Sequence, residues 1–494
     1  MKLSILTLVV VTLLLNAAQT AQAAPPAFPG AEGYGAGAVG GRGGKVVFVD
    51  SLDDDHHNPK PGTLRYACQS VTGPRIVVFR TGGIIALKRT LLITEPFITI
   101  AGQTAPGDGI CLKGAPLAIQ THDVIVRGLR IRPGSEKQGE KGKGRDSLQL
   151  HGDVRNVIVD HCSMSWSCDE NISISKAGAA IPRDVTLQWC FITEALSHSG
   201  LRDKDVGKDK KSDASHSSAA LFYGGTVSLL GNLWAHNFTR NPRVGVTADD
   251  GFTADFVNNV FYNWGDEAVI LAIVEPCKAP SRVNFVGNTW IWGPDTFKNK
   301  PGKTEINVLP TQPFHAGQPE KSTRVYLSDN TVRRADGQDR ACPAADLATC
   351  YGLEDKTVAA RYLVAAPPVP LRVCPEAVAS AAKGKEQVLA GAGAIAPRRD
   401  KTDERIVADV KAGTGRFIDG PQDVGGYPVY AAGEPSVDSD RDGMPDDWEK
   451  ARHLDPAKPN ANGRDLSAEY DNIEVYVNGL IAPAARDQLR APSP

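Results

Sequence analysis

The most regular feature of the chain is an eight-residue pattern that recurs along its middle. The first and third positions of each copy are apolar, and the position between them is mostly polar. This alternation is typical of a β-strand that buries one face. The copies begin at Ile98, Val124, Val157, Val185, Val227, Ala254, Val283 and Val325. Successive starts are separated by between 26 residues (98 to 124) and 42 residues (185 to 227).

The sixth position of these copies repeats a residue type. It is occupied by Cys162, Cys190, Asn232, Asn259, Asn288 and Asn330. A fixed residue type at a fixed phase indicates coils that stack in register, so that the asparagine amides bond one another. Short strands spaced by about 28 residues therefore predict an all-β fold, a parallel β-helix whose variable loops carry the chemistry. A β-sandwich is the alternative, but a sandwich produces no fixed-phase ladder.

Composition narrows the classes of partner. The 494 residues include 55 Lys and Arg against 57 Asp and Glu, a net charge of −2. This balance lacks the basic excess that binds a phosphate backbone, so we expect no nucleic-acid partner. The nine cysteines are an odd number, which leaves at least one thiol unpaired, and Cys342 with Cys350 is a plausible local disulfide.

The first 23 residues predict a secretory signal peptide. Lys2 is followed by an apolar run, Leu3 to Leu15, which is too short to span a membrane, and Ala21 and Ala23 offer a cleavage site. The alternative is a buried N-terminal helix. No later segment has the pattern of a membrane span. We therefore expect a secreted protein, extracellular or periplasmic, and a monomer.

Six motifs in a fixed order resemble the pectate lyases of polysaccharide lyase family 1. They are Phe28-Pro-Gly-Ala-Glu-Gly-Tyr-Gly, Pro61-Gly-Thr-Leu-Arg-Tyr-Ala, Gly73-Pro-Arg-Ile-Val-Val-Phe, Asp146-Ser-Leu-Gln-Leu, Val159-Asp-His-Cys-Ser and Arg240-Asn-Pro-Arg243. The resemblance runs from about residue 28 to about residue 332, and it implies a right-handed parallel β-helix. A stretch from Gly391 to Arg405 resembles the tail of one bacterial and fungal branch of the family.

The resemblance implies cleavage of polygalacturonate or pectin by β-elimination. In that reaction a base removes the proton at C5 of an α-1,4-linked galacturonate, the bond to O4 breaks, and a 4,5-unsaturated product forms. Negative charge accumulates on the uronate, so cations must neutralise its carboxylate. Arg240 matches the catalytic arginine, Arg243 matches an arginine that grips a substrate carboxylate, and the family's next arginine falls at Gly245. Because a guanidinium has a pKa above about 12, Arg240 either acts as a base in a dry, cation-crowded site or stabilises the enolate.

The resemblance also implies a Ca²⁺ ion held by carboxylates of neighbouring coils. Asp146 matches the first carboxylate and Asp169 the second. The third falls at Ser173, so that Glu170 or Asn171 has to replace it. Calcium prefers roughly six to eight oxygens, some of which substrate carboxylates can supply. The site is then weak or forms only with substrate, and the alternative is a group of exposed carboxylates without metal.

The family's substrate-binding lysine has no clear counterpart. Near its expected place stand His198 and His216, which we assign to substrate binding. The segment between them is rich in lysine and steers a polyanion toward the site, unless it is only a solvated surface.

A twelve-residue acidic loop near the C-terminus has the spacing of an EF-hand. Its positions 1, 3, 5, 9 and 12 are Asp438, Asp440, Asp442, Asp446 and Glu449, and position 6 is Gly443. We expect this loop to bind Ca²⁺ in a structural role, with Glu449 in the helix that follows. The alternative is an acidic turn without metal.

These observations divide the chain into four parts. Residues 1–23 are the signal peptide, 24–365 the β-helix, 366–434 a capping or linker region, and 435–482 the EF-hand-like tail. Within the third part, short helices are predicted at 376–385 and 402–410, packed over the open end of the solenoid.

The sequence thus predicts a secreted, calcium-assisted pectate lyase. Two other functions stay open. One is a polysaccharide-binding β-helix that has lost catalysis, which the departures at Ser173 and Gly245 allow. The other is a polygalacturonase-type hydrolase, which needs paired carboxylates such as Asp249-Asp250 or Asp266-Glu267.

Overall fold

Three β-sheets wind around one axis, and each turn of the chain adds one strand to each sheet. The computed structural model describes residues 24–135, 145–199, 217–245, 251–266, 268–273, 280–296, 306–310, 323–342 and 362–481. In a typical turn, Arg155–Asp160 joins the first sheet, Ser163–Ser165 the third and Glu170–Ser175 the second. The predicted parallel β-helix is therefore confirmed, and the β-sandwich is wrong.

The described strands group as follows. The first sheet contains Lys45–Val49, Arg75–Phe79, Ile98–Ala101, His122–Arg127, Arg155–Asp160, Val185–Gln188, Gly225–Leu230, Phe252–Val257, Arg282–Val286, Arg324–Ser328 and Leu363–Val364. The second contains Leu91–Ile93, Leu117–Ile119, Leu148–His151, Glu170–Ser175, Ser218–Phe222, Arg243–Val244, Val269–Ile273 and Ile306–Pro310. The third contains Gly83–Ala86, Ile110–Lys113, Leu129–Arg132, Ser163–Ser165, Phe191–Thr193, Leu233–Ala235, Val260–Tyr262, Thr289–Ile291, Asn330–Arg333 and Asp339–Cys342, of which the last pairs antiparallel.

Helices are few and short. The α-helices are α1 (Leu64–Gln69), α2 (Ala381–Gly391), α3 (Lys401–Ala412), α4 (Asp446–Lys450) and α5 (Asn472–Gly479). Turns of 3₁₀ helix lie at Tyr34–Gly37, Gly102–Thr104, Pro375–Ala377 and Pro421–Val424. None of the helices in the described ranges combines the length and the apolar composition that a membrane crossing requires.

The register of the first sheet is the one that the eight-residue pattern predicts. The first positions of all eight copies are direct partners on neighbouring strands, from Ile98 opposite Val124 to Val283 opposite Val325. Their side chains are buried in the interior of the solenoid. Because strand side chains alternate between the two faces, this register places one apolar row inside and the intervening residues outside.

The predicted asparagine ladder is also present. The amide nitrogen Nδ2 of Asn232 donates to Oδ1 of Asn259 (3.0 Å), Asn259 donates to Asn288 (3.0 Å), and Asn288 donates to Asn330 (3.0 Å). At its other end, Oδ1 of Asn232 accepts the backbone N–H of Cys190 (2.9 Å). All four asparagines are buried, so each amide group satisfies backbone groups that water cannot reach.

The cysteines at the start of this row take the place of the asparagines. The Cys190 thiol donates to the carbonyl of Val159 (3.5 Å), and the Cys162 thiol donates to that of Val126 (3.7 Å). These carbonyls belong to the third position of the preceding repeats, which is also where each asparagine donates. The proposed partner of Cys342, residue 350, lies outside the described residues, so that disulfide stays a prediction.

After its last coil, the chain returns along the outside of the solenoid, and we call residues 366–481 the return segment. Its partners lie progressively earlier in the sequence. The N–H of Ala381 donates to Asp329 (3.1 Å), and the N–H of Ala431 donates to Asp108 (2.7 Å). The segment therefore spans the coils from late to early.

The two predicted helices of this segment exist but lie elsewhere. Helix α3 packs Ile406, Val407 and Val410 on Phe191 and Tyr262, which project from the outer face of the third sheet. The predicted position over the open end of the solenoid is therefore wrong. The reason is that this outer face is itself apolar and has to be covered.

The helix bounds also differ from the prediction in one case. Helix α3 agrees with the predicted 402–410 within two residues, but α2 begins at Ala381 and extends to Gly391. The hydroxyl of Ser380 caps α2 by accepting the N–H of Lys383. Pro375 instead starts a separate 3₁₀ turn, so the predicted start at residue 376 is too early.

Candidate functional site

Three carboxylates meet on the outer face of the second sheet. Asp146 precedes the strand Leu148–His151, and Asp169 and Glu170 stand at the start of the neighbouring strand Glu170–Ser175. Oxygens of the three side chains lie within 4.8 Å of one another. Asp146 and Glu170 are buried and Asp169 is half-buried. The structure therefore brings together the three predicted ligands of the catalytic-site calcium, and we call them the acid cluster.

Hydrogen bonds fix the position of Asp146. Its Oδ2 accepts Nε2 of Gln149 (3.0 Å), its Oδ1 accepts the backbone N–H of Glu170 (3.2 Å), and Ser173 also donates to it. Gln149 and Ser173 were absent from the sequence-based site. Both residues face outward on strands whose side chains alternate between the two faces. The alternating sequence pattern could therefore have identified them as neighbours of the site.

Of the two residues that could replace the missing third carboxylate, Glu170 lies in the acid cluster. The alternative, Asn171, is buried and turns away from the cluster. Its Nδ2 donates to the carbonyl of Thr193 (3.0 Å) and to Oδ1 of Asn237 (3.2 Å). Asn171 therefore belongs to a second, internal amide ladder and does not face a metal.

The electrostatics of the acid cluster favour a cation. Burial, and then repulsion by Asp169, raises the pKa of Asp146 to about 6. Burial, with repulsion by Asp169 and Asp146, raises the pKa of Glu170 to about 8, although Arg240 opposes the shift. Adjacent carboxylates that ionise this reluctantly are stabilised by a hard divalent cation with a preference for oxygen, so the residues fit Ca²⁺.

The predicted catalytic arginine lies against this cluster. Nη1 of Arg240 forms an ion pair with Oε1 of Glu170. Arg240 has a left-handed backbone (φ 56°), and its carbonyl accepts the N–H of Ala220 (2.8 Å). Arg243 begins the strand Arg243–Val244, where it is half-buried and lies in register opposite Leu221. Arg240 therefore contacts the acid cluster from the segment before this strand, and Arg243 stands two strands away from Glu170–Ser175 on the same sheet.

Of the two histidines predicted to bind substrate, one lies in the described part of the chain and the other does not. His198 is exposed, and its Nδ1 lies 2.9 Å from Oδ1 of Asp419 in the return segment. Within the described part of the chain, the ring of His198 hydrogen-bonds only to Asp419, so its assignment to substrate binding stays a prediction. His216 lies outside the described residues, as do Asp249, Asp250 and Glu267 of the hydrolase alternative.

The acidic loop near the C-terminus forms a second cluster. Oxygens of Asp438, Asp440 and Asp442 lie within 4.8 Å of one another. The N–H groups of Asp442 (3.2 Å) and Gly443 (3.1 Å) donate to Asp438, which closes the turn. Both oxygens of Asp446 accept bonds from Ser439, which ties the loop together. The assignment of Asp446 as a calcium ligand stays a prediction.

Glu449 provides the clearest indication of a cation in this loop. The side chain is buried, yet among the described residues neither of its carboxylate oxygens has a hydrogen-bond partner. Burial and the repulsion of the loop aspartates raise its pKa to about 7, and the pKa of Asp440 rises to about 6 for the same reasons. A buried carboxylate without a partner costs free energy unless a cation neutralises it. The donor set therefore fits Ca²⁺.

Comparison with known proteins identifies the chain's relatives. It is 36% identical over 464 residues to "Probable pectate lyase C" of Aspergillus flavus, an alignment covering 92% of this chain and 94% of the relative. The protein of the same name from Aspergillus terreus is 35% identical over 461 residues, with the same coverage. "Putative pectate lyase 11" of Arabidopsis thaliana is 36% identical over 155 residues, which are 28% of this chain and 36% of the relative.

Solved structures give a more distant likeness. The cedar-pollen allergen Jun a 1 matches with a TM-score of 0.47 and 18% identity, over 74% of this chain and 92% of that chain. A pectate lyase of Bacillus sp. N165, in complex with trigalacturonate, matches with a TM-score of 0.44 and 14% identity, over 74% and 98%. A scan against family models finds no match.

The fold, the site and the curated relatives define a polysaccharide lyase built on a parallel β-helix. Within that class, the chain belongs to the pectate lyase family.

Proposed function

We propose that the protein cleaves α-1,4-linked galacturonan by calcium-assisted β-elimination, releasing 4,5-unsaturated oligogalacturonides. The observation that carries this proposal is the acid cluster of Asp146, Asp169 and Glu170 with Arg240 paired to it. Three carboxylates and an arginine on one outer face match what the reaction needs. The carboxylates would hold a cation, which together with the guanidinium of Arg240 would neutralise a uronate carboxylate beside the scissile bond.

Asp146, Asp169 and Glu170 would hold the calcium ion. When bound, it would neutralise the substrate carboxylate and so make the C5 proton easier to remove. Arg243 offers a planar fork that suits the carboxylate of a bound uronate. Hydrogen bonds from Gln149 and Ser173 hold Asp146 in place, which keeps the cluster preorganised.

Arg240 is the catalytic residue of this proposal, and two roles remain open to it. As a base it would take the C5 proton, and as a cation it would stabilise the enolate. Its ion pair with Glu170 holds the guanidinium beside the acid cluster as a cation, which favours the second role. The substitution Arg240→Lys separates the two, because a lysine has a pKa of about 10.4 and loses its proton more readily than an arginine. A base role predicts a pH–rate profile that moves to lower pH, whereas a stabilising role predicts a lower rate at an unchanged profile.

A second calcium ion is proposed for the loop of Asp438, Asp440, Asp442 and Glu449, in a structural role. Met444 of this loop, with Ile473 and Val477 of helix α5, packs against Ile76 and Val78 of the first sheet. An ion in this loop would hold the end of the return segment on the first coils. Secretion, with removal of residues 1–23, and a monomeric state complete the proposal.

The first experiment is incubation of the purified mature protein with polygalacturonate, with calcium and with chelator, while ultraviolet absorbance is followed. A calcium-dependent rise supports β-elimination, because only an unsaturated product absorbs. A flat trace with chain shortening indicates hydrolysis, and a flat trace without shortening indicates a binding protein. Arg240→Ala should abolish the rise while leaving thermal unfolding unchanged. Full activity of this variant would refute the assignment of Arg240.

A further inference from the structure

The outer face of the second sheet carries two rows of side chains that cross neighbouring strands. The first row follows the register from Gln149 to Ser173, Leu221 and Arg243. It runs beside the acid cluster, since Gln149 donates to Asp146 (3.0 Å). The first row is therefore part of the site already described.

The second row lies two residues further along the same strands. His151 is in register with Ser175, and its Nδ1 lies 2.9 Å from the Ser175 hydroxyl. The ladder continues, because the N–H of Tyr223 donates to the carbonyl of Ile174 (2.9 Å) and the N–H of Gly245 to that of Phe222 (3.1 Å). The row thus consists of His151, Ser175, Tyr223 and Gly245.

The side chains of this row face outward. Phe222 and Val244 are buried in the core of the solenoid, and side chains alternate along a strand. Tyr223 and Gly245, which follow them, therefore face the outside. His151 is exposed and Tyr223 is half-buried. The two rows are two residues apart, which corresponds to roughly 6.6 Å along a strand. The second row therefore runs beside the first row, which ends at Arg243.

The chemistry of the two rows differs. The first row has carboxylates and arginines around it, whereas no member of the second carries a permanent charge. Gly245 has a left-handed backbone (φ 75°), a conformation that disfavours any residue with a side chain. Position 245 thus adds no side chain to the row next to Tyr223. Past the ends of these strands follow Lys176 and Asp153, which have opposite charges.

We propose that His151, Ser175 and Tyr223 form a substrate-binding row that holds the polysaccharide through its uncharged groups and accepts a methyl-esterified uronate there. The inference rests on the proposed function. An imidazole and a hydroxyl are suited to sugar hydroxyls, and a tyrosine ring packs on the apolar face of a sugar. The row offers no cation, so a uronate carboxylate bound there forms no ion pair with it. Methyl esterification of that carboxylate therefore removes no ion pair.

The test compares kcat and KM of the full chain and its variants on polygalacturonate and on highly methyl-esterified pectin at one calcium concentration. His151→Ala and Tyr223→Ala should each raise KM about fivefold on both substrates, with kcat within about twofold, as expected for the loss of one binding contact. Tyr223→Lys adds a cation and should lower KM for polygalacturonate alone. His57→Ala changes another exposed histidine and is the matched control.

Thermal unfolding of each variant shows whether it is folded. Unchanged KM in both alanine variants, or a loss confined to kcat, would overturn the proposal. If the unmodified chain makes no unsaturated product, the proposed function fails, and equilibrium binding of trigalacturonate and its methyl ester tests the row by itself. A loss of affinity of about fivefold for both ligands in both variants supports it. Equal affinity of variants and unmodified chain refutes it.

Discussion

Glu170→Gln should stabilise the metal-free protein at pH 8 and at the same time abolish calcium-dependent activity. The carboxylate is buried against Asp146 and Asp169, so its negative charge is unfavourable until a cation arrives. Glutamine keeps the shape of the side chain and removes the charge. A residue that served only packing or an ion pair would not give these opposite effects.

The magnitude follows from the pKa of Glu170, which rises from an ordinary 4.5 to about 8. A raised pKa means that this carboxyl group has its full contribution to stability below about pH 4.5 and loses it as the pH rises toward 8. Each pH unit in that window corresponds to about 1.4 kcal/mol. The charged carboxylate therefore costs on the order of 4 kcal/mol at pH 8, and the glutamine variant recovers it.

The assay is equilibrium unfolding in denaturant with chelator at pH 5 and pH 8. The variant should exceed the unmodified protein in unfolding free energy at pH 8 and differ little at pH 5. Added calcium should stabilise the unmodified protein at pH 8 and have a smaller effect on the variant, which has lost a ligand.

Glu194→Gln is the matched control. Glu194 is equally buried, but Arg405 binds both of its oxygens (2.7 and 2.8 Å) and Trp166 donates to one of them (3.0 Å). These bonds lower its pKa, so its charge contributes stability at pH 8. The control should lose stability where Glu170→Gln gains it. Lower stability of Glu170→Gln at pH 8 in chelator, or undiminished calcium-dependent activity, would refute the reasoning.

Three further predictions concern the solenoid and the acidic loop near the C-terminus. Asn259→Ala should lower the unfolding free energy by about 3 kcal/mol, because the N–H of Asn232 and the carbonyl of Leu229 lose buried partners; a loss under about 1 kcal/mol in denaturant unfolding would contradict this. Cys190→Asn should cost far less, because the thiol already occupies a ladder position, and loss of folding would show that the site cannot hold an amide. Glu449→Gln should remove most of the calcium-induced rise in Tm contributed by the return segment while kcat stays within about twofold, and a selective loss of kcat would contradict a structural role for the loop.

The solenoid was predictable because its first sheet follows a simple rule. The alternation of apolar and polar residues and the repeated residue type at the sixth position of each eight-residue copy are both visible in the sequence. Together they specify the register from Ile98 to Val325. The strands of the other two sheets are mostly short, down to the two residues of Arg243–Val244, and too brief to show a period. Their positions are set by stacking on neighbouring coils, which no local pattern records.

The candidate site was predictable only in part, because some of its contacts also depend on the stacking of neighbouring coils. Motif resemblance identified Asp146, Asp169 and Arg240, but not the contact that Arg240 makes with Glu170. That ion pair joins residues 70 apart in the sequence, on coils that only the folded solenoid brings together. Glu170 and Asn171 were two open choices for the third ligand. The side chain of Glu170 lies beside Asp146 and Asp169, whereas that of Asn171 donates to Asn237.

The course of the return segment could not be predicted from the sequence. It is determined by ion pairs between residues that are even further apart in the sequence. Arg132 is fully buried on the outer face of the third sheet, where it pairs with Asp400 and with Asp403 (2.6 Å), 271 residues away. A buried arginine without partners would be very costly, so the solenoid surface itself requires an acidic segment over this coil.

The C-terminal end of the return segment is also held by polar contacts with residues far away in the sequence. Arg42 pairs with Glu474 (2.9 Å), and the N–H of Gly43 donates to Asp471 (2.7 Å) beside the first strand. The acidic loop near the C-terminus is thereby held on the first sheet, while the acid cluster lies on the second. Because the two clusters share no residue and sit on different sheets, an ion bound in the loop would stabilise the return segment without taking part in the chemistry at the acid cluster.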